Sequence, residues 1–86
     1  MTYLITYDIS NDKKRGKVFR ILDKIGIHLQ RSVFMVDLEL APCMLLKEKL
    51  TKLMSIEDSI IIISLCKSCL GNAQYIGLKE NKTLVI

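Results

Sequence analysis

An α+β sandwich ordered βαββαβ, with an extra C-terminal strand, is the fold that three features of this 86-residue sequence predict. Extended β-branched and aromatic segments alternate with two segments of helical periodicity. Capping residues and breakers stand at the joints between them. No internal repeat, low-complexity stretch or linker interrupts the pattern, so residues 1–86 are expected to form a single domain.

Tyr3–Asp8 (YLITYD) is β-branched and aromatic and is predicted as a buried strand. Ser10, Asn11 and Asp12 are candidate N-caps. A helix follows, with Val18, Ile21, Leu22 and Ile25 on one face, and Gly26 is expected to end it as a C′ residue. Ile27–Leu38 is predicted as one long strand. Val33 and Met35 point one way along it; Ser32, Phe34 and Val36 point the other. Pro42 suits the first turn of a second helix, whose core stripe is Cys43, Leu46, Leu50 and Leu53. Asp58 and Ser59 turn the chain into Ile60–Leu65 (IIIISL), an apolar run expected to be a strand buried on both faces. Gly71 and Asn72 mark a turn before a short strand at Ala73–Ile76. Lys79–Lys82 is a polar break, and Thr83–Ile86 is expected to be a terminal strand. These elements fit the ferredoxin-like split-βαβ pattern, an antiparallel sheet with both helices on one face. The other sheet face needs cover. With half of the residues hydrophobic, a two-fold homodimer is the simplest supply.

The charge is unevenly placed. Residues 1–31 hold seven of the 13 cations and three of the nine acids, so the whole net charge of +4 sits in the first third. Such asymmetry points to a polyanion partner, although a solvated basic face would look the same. No apolar run approaches the roughly 18 residues needed to span a membrane. The N-terminus lacks a signal-peptide pattern, and a cytoplasmic protein is expected. Three cysteines do not make a disulfide framework.

At about 100° per residue, Lys13, Lys17, Arg20 and Lys24 form one stripe on the first helix, opposite Val18, Leu22 and Ile25. Lys14 and Arg15 stay near its first turn, and Arg31 lies further along. Cations at a helix N-terminus oppose the macrodipole; a bound phosphate would turn them to advantage. An ordinary solvated helix face is the alternative.

Asp8 ends an apolar strand beside this basic cluster. A carboxylate there can hold a hard divalent cation, and Mg²⁺ commonly takes one or two carboxylates plus water. A two-fold dimer would supply a second Asp8 from the partner copy. The two would repel unless they shared a cation or a proton. A simple helix-capping role for Asp8 is the alternative.

His28, the sole histidine, reads as a surface or packing residue, with acid–base work as the sharper option. Cys66 and Cys69 have CxxC spacing, but one chain offers too few further ligands for zinc. The CxxC does not open a helix after a first strand, as a redox pair would. No P-loop, GxGxxG, GxSxG or HExxH pattern is present. The aromatic strands of an RNA-recognition motif are missing, which favours backbone contacts over base readout.

These residues resemble the CRISPR-associated Cas two family. The matching pieces are Tyr7-Asp8-Ile9-Ser10, the basic run Lys13-Lys14-Arg15 with Lys17-Val18, Gly26, and Leu29-Gln30-Arg31-Ser32-Val33-Phe34. Asp58-Ser59 and Leu65-Cys66 with Cys69 complete the series, from about Met1 to Gly77. The resemblance implies a ferredoxin-like homodimer joined through its sheets, with the C-terminal strand completing the partner's sheet. It implies a place in spacer acquisition, where the dimer bridges two integrase dimers and holds double-stranded prespacer DNA. It also implies metal-dependent cleavage of RNA or DNA. Asp8 matches the metal-binding and catalytic aspartate. Arg15 and Lys17 match basic helix positions, and Ser32 and Phe34 match the supporting serine and phenylalanine. His28 stands where relatives commonly carry a basic residue, and Met35 where many carry Glu. Lys17 stands where Arg is frequent, which replaces a bidentate phosphate contact with a point charge. The rival functions are a non-catalytic structural adaptor of the acquisition complex and a toxin-like ribonuclease of the related virulence-associated family.

Overall fold

The computed structural model describes residues 1–77 and runs β1 (Thr2–Asp8), α1 (Asp12–Ile25), β2 (Gly26–Gln30), β3 (Val33–Asp37), α2 (Leu40–Leu53), β4 (Ser59–Leu65) and a short α3 (Lys67–Gly71). The four strands form one antiparallel sheet in the order β2-β3-β1-β4. Both long helices share one face of it, in the ferredoxin-like βαββαβ arrangement that was predicted.

The core lies between that face and the helices. Strand alternation sends Tyr3, Ile5 and Tyr7 of β1 inward with Phe34 and Val36 of β3, and α1 meets them with Val18 and Leu22. Cys43, Leu46 and Leu50 of α2 close the cluster as their spacing predicts, with Leu53 packed at its margin. Asn11 caps α1: its side-chain oxygen accepts the Lys14 N–H at 3.0 Å. Pro42 sits in the first turn of α2, where a missing N–H removes no helical bond.

Three expectations are corrected, and the role of Gly26 is sharpened. Ile27–Leu38 is not one strand but a hairpin, β2 and β3, turning at Arg31 and Ser32 with a register shift between His28 and Gln30. This fold-back supplies the second β of the βαββαβ order. Gly26 does end α1, its N–H donating to the Leu22 carbonyl, but its backbone is extended (φ −146°) and it opens β2. Glycine is required there by close approach. An added Cβ would fall 2.6 Å from the Met35 carbonyl oxygen and against Val36 Cγ1.

Ile60–Leu65 is not buried on both faces. Among the described residues β4 is an edge strand: Ile60 and Ile62 pack on the core, while Ile61 and Ile63 are exposed on the helix-free face. Ala73–Ile76 forms no strand. The chain instead makes α3, capped by Cys66, and residues 73–77 follow without regular structure. The expected break at 79–82 and strand at Thr83–Ile86 lie outside the described residues. No helix among the described residues is long and apolar enough to cross a membrane.

Candidate nucleic-acid interface and metal position

The sequence-predicted site residues fall into three places around the C-terminal end of β1. By strand alternation, Leu4, Thr6 and Asp8 face away from the helices, opposite to Tyr3, Ile5 and Tyr7. Asp8 lies at the last β1–β4 pairing, across from Ser59. Its carboxylate is exposed and makes no hydrogen bond or ion pair among the described residues. It does not cap α1, since Asn11 fills that role.

An exposed oxygen donor without a protein partner suits a hard divalent cation. Among the described residues, however, no group of three or more His, Cys, Asp or Glu side chains gathers to hold one. Within one chain, the described residues therefore place no ready-made cluster of metal ligands around Asp8.

The second place is a cleft on the helix side of the sheet, about 460 Å³ in volume. It is lined by Tyr7, Asp12, Arg15, Gly16, Phe19, Arg31 and Ser32. The β2–β3 turn is docked there by a bond from the Tyr7 N–H to the Ser32 carbonyl at 3.1 Å. That bond brings Arg31 and Ser32 to the end of β1. Arg15 is held by the connection it follows: its guanidinium donates to the carbonyls of Ile9 (3.0 Å) and Ser10 (3.3 Å) and pairs with Asp12. Its main duty is thus to shape the β1–α1 loop. Burial pushes the Tyr7 phenol above its usual range, opposed by its hydrogen bond with Ser32 and by the charge of Arg15.

Phe34, predicted as a supporting residue, is fully buried at the back of this cleft. It stacks on His28 at 4.8 Å between ring centroids and meets Phe19 edge-on at 5.3 Å. His28 Nε2 lies 3.0 Å from the Arg31 carbonyl oxygen. The histidine is a packing residue that steadies the turn.

The third place is the α1 stripe. Lys13, Lys17, Arg20 and Lys24 are all exposed and take part in no ion pair among the described residues, and Lys17, Arg20 and Lys24 border the groove between α1 and α2. Lys14 turns away and donates to Ser55 Oγ. No ion pair joins Asp8 to any of these cations.

Sequence reasoning missed Tyr7 and Phe19 as cleft residues. Tyr7 had one signal, its place beside Asp8; Phe19 had none, because its neighbours come from the β2–β3 hairpin. Cys66 and Cys69 are exposed free thiols at α3. The Cys66 sulfur accepts the Cys69 N–H at 3.4 Å, which lowers the Cys66 thiol below its usual range, while the hydrogen bond with Cys66 raises Cys69.

Comparison with known proteins agrees with this geometry. The model of the family described as CRISPR associated protein Cas2 matches residues 1–73. A CRISPR-associated endoribonuclease Cas2 of Chloroflexus aurantiacus is 42% identical over 79 residues, covering 90% of this chain and 85% of that protein. A second, from Methanospirillum hungatei, is 35% identical over 74 residues, covering 86% and 83%. Among solved structures, Streptococcus pyogenes Cas2 superposes with a TM-score of 0.80 at 26% identity, covering 90% of this chain and all of the other. A chain of a partial Cas6-RT-Cas1–Cas2 complex superposes with a TM-score of 0.78 at 30% identity, covering 87% and 83%. With a family model spanning most of its length and relatives above 30% identity, this chain belongs to the CRISPR-associated Cas2 family.

Proposed function

We propose that this protein serves CRISPR spacer acquisition as a homodimer, binding duplex DNA alongside the integrase and cutting phosphodiesters with a divalent cation. Family membership and the Cas1–Cas2 assembly among its structural neighbours support the pathway and the partner. The name endoribonuclease, carried by its relatives, supports cleavage.

One observation carries the catalytic part: Asp8 is an exposed carboxylate, unpartnered among the described residues, on the sheet face that also exposes Ile27, Ile61 and Ile63. A two-fold contact through this face would bury the isoleucines and bring two Asp8 side chains toward one axis. The two Asp8 carboxylates would then share one Mg²⁺. The ion, when bound, polarises a phosphoryl oxygen and acidifies a bound water.

The chain's own cations do the binding. Lys13, Lys17 and Arg20 offset phosphate charge along the duplex without reading its sequence. Arg31 and Arg15, at the mouth of the Tyr7 cleft, extend this positive surface around the end of β1. RNA would meet the same backbone contacts.

The test is Asp8→Asn in a nuclease-free preparation. Mg²⁺-dependent cleavage of RNA or duplex DNA should be abolished, while cleavage that persists undiminished removes Asp8 from the chemistry. A second reading, the non-catalytic adaptor, is favoured by the lack of a three-ligand cluster within one chain's described residues. Spacer integration that survives Asp8→Asn in a system reconstituted with the integrase would select it.

A further inference from the structure

We propose that the groove between α1 and α2 is a protein-docking site that takes an acidic amphipathic helix. This groove is about 740 Å³ in volume and lies on the helix side of the sheet, away from Asp8. It combines two chemistries that nucleic-acid binding does not need together.

Its floor is apolar. Ile21 and Ile25 of α1 face Leu45, Leu46 and Leu53 of α2 across it. Leu45 is 67% exposed and Ile25 40% exposed, so hydrocarbon remains uncovered although both helices have already packed on the core. The rim is cationic on both sides, with Lys17, Arg20 and Lys24 from α1 and Lys49 and Lys52 from α2. Among the described residues, no carboxylate lines the groove and none of the five cations is in an ion pair.

A phosphate backbone would use the rim and leave the floor wet, because its affinity comes from charge neutralisation. A neutral apolar segment would use the floor but leave five like charges crowded about it. A helix with an apolar stripe flanked by Asp and Glu satisfies both at once: the stripe removes the floor from water, and the flanks complement the rim. The dimensions agree. Each wall is a 14-residue helix, about 21 Å long at 1.5 Å per residue, which accommodates three to four turns of a docked helix. The groove shares Lys17 and Arg20 with the duplex-binding stripe, so partner and duplex should compete.

Fluorescence anisotropy tests this with the full chain. The probe is a labelled 16-residue synthetic peptide carrying Leu at helical i, i+3, i+4 and i+7 spacing and Glu at the flanking positions. A scrambled peptide of the same composition is the control. Binding tighter than about 100 μM is expected for the patterned peptide alone. Leu45→Ser should weaken it about tenfold through lost apolar burial, and Lys49→Glu with Lys52→Glu should weaken it at least as much. Leu45 is mostly solvent-exposed, so its replacement leaves the core intact.

Duplex DNA affinity should not change in Leu45→Ser. Equal binding of the two peptides, or a patterned-peptide affinity indifferent to Leu45→Ser, overturns the proposal. If Leu45→Ser weakens duplex DNA as much as peptide, the groove is a nucleic-acid surface and the protein-docking assignment fails. Neither result bears on Asp8, which lies on the opposite face.

Discussion

Asp8 is available because other residues do the structural work around it. Asn11 caps α1, and Arg15 ties down the carbonyls of Ile9 and Ser10. Asp8→Asn therefore removes a charge without removing a contact. Such surface changes stay within about 0.5 kcal/mol, so the melting temperature should move by no more than about 4 °C even as metal-dependent cleavage is lost. Asn11→Ala should do the reverse. Losing the cap costs about 1 kcal/mol, lowering the melting temperature by about 4–8 °C, with cleavage intact under conditions where the protein stays folded. Calorimetry and a cleavage assay on the same two variants separate the roles. The capping question was open in the sequence because Ser10, Asn11 and Asp12 are all competent caps. Backbone geometry chose among them, through the Lys14 N–H that only Asn11 meets.

At the scale of elements, helices were the most legible because their packing stripes are local. Val18 with Leu22, and Cys43 with Leu46 and Leu50, recur at helical spacing and are buried as that spacing implies. Strand context was less legible. The turn at Arg31 and Ser32 carries no Gly, Pro or Asn, so the hairpin it makes reads as one extended segment. The isoleucine run of β4 looks doubly buried, but its edge position follows from strand order, which is not a local property. Gly26 ends α1 as its position implies, but the need for glycine itself arises from the close approach of β3, which is not local in sequence. Gly26→Ala should destabilise by about 1–3 kcal/mol through overpacking, seen as a fall in the urea midpoint. An unchanged midpoint would mean that β2 can shift away from Met35 and Val36. The α1 stripe carries its own prediction. Lys13→Glu with Lys17→Glu should weaken duplex DNA binding and flatten its dependence on salt. Affinity unchanged across a salt titration would remove the stripe from the interface.

At the scale of the whole molecule, the sheet has one face covered by helices and another that exposes Ile27, Ile61 and Ile63. That asymmetry was legible in the sequence as surplus hydrophobicity. The separation of Asp8 from Arg15, Arg31 and Ser32 across the sheet was not, since all of them cluster in the first third of the chain and only strand alternation parts them. On the proposed dimer, Ile61→Glu with Ile63→Glu should yield a monomer in light scattering, and should abolish metal-dependent cleavage with it, because no second Asp8 would then reach the ion.

The proposal that two copies complete one metal site is tested most directly by counting ions. Titration with Mn²⁺, followed by the electron paramagnetic resonance signal of the free ion, should reach one ion per two chains. That binding should disappear in both Asp8→Asn and the Ile61→Glu, Ile63→Glu variant. One ion per chain, or a site that survives in the monomeric variant, would contradict it.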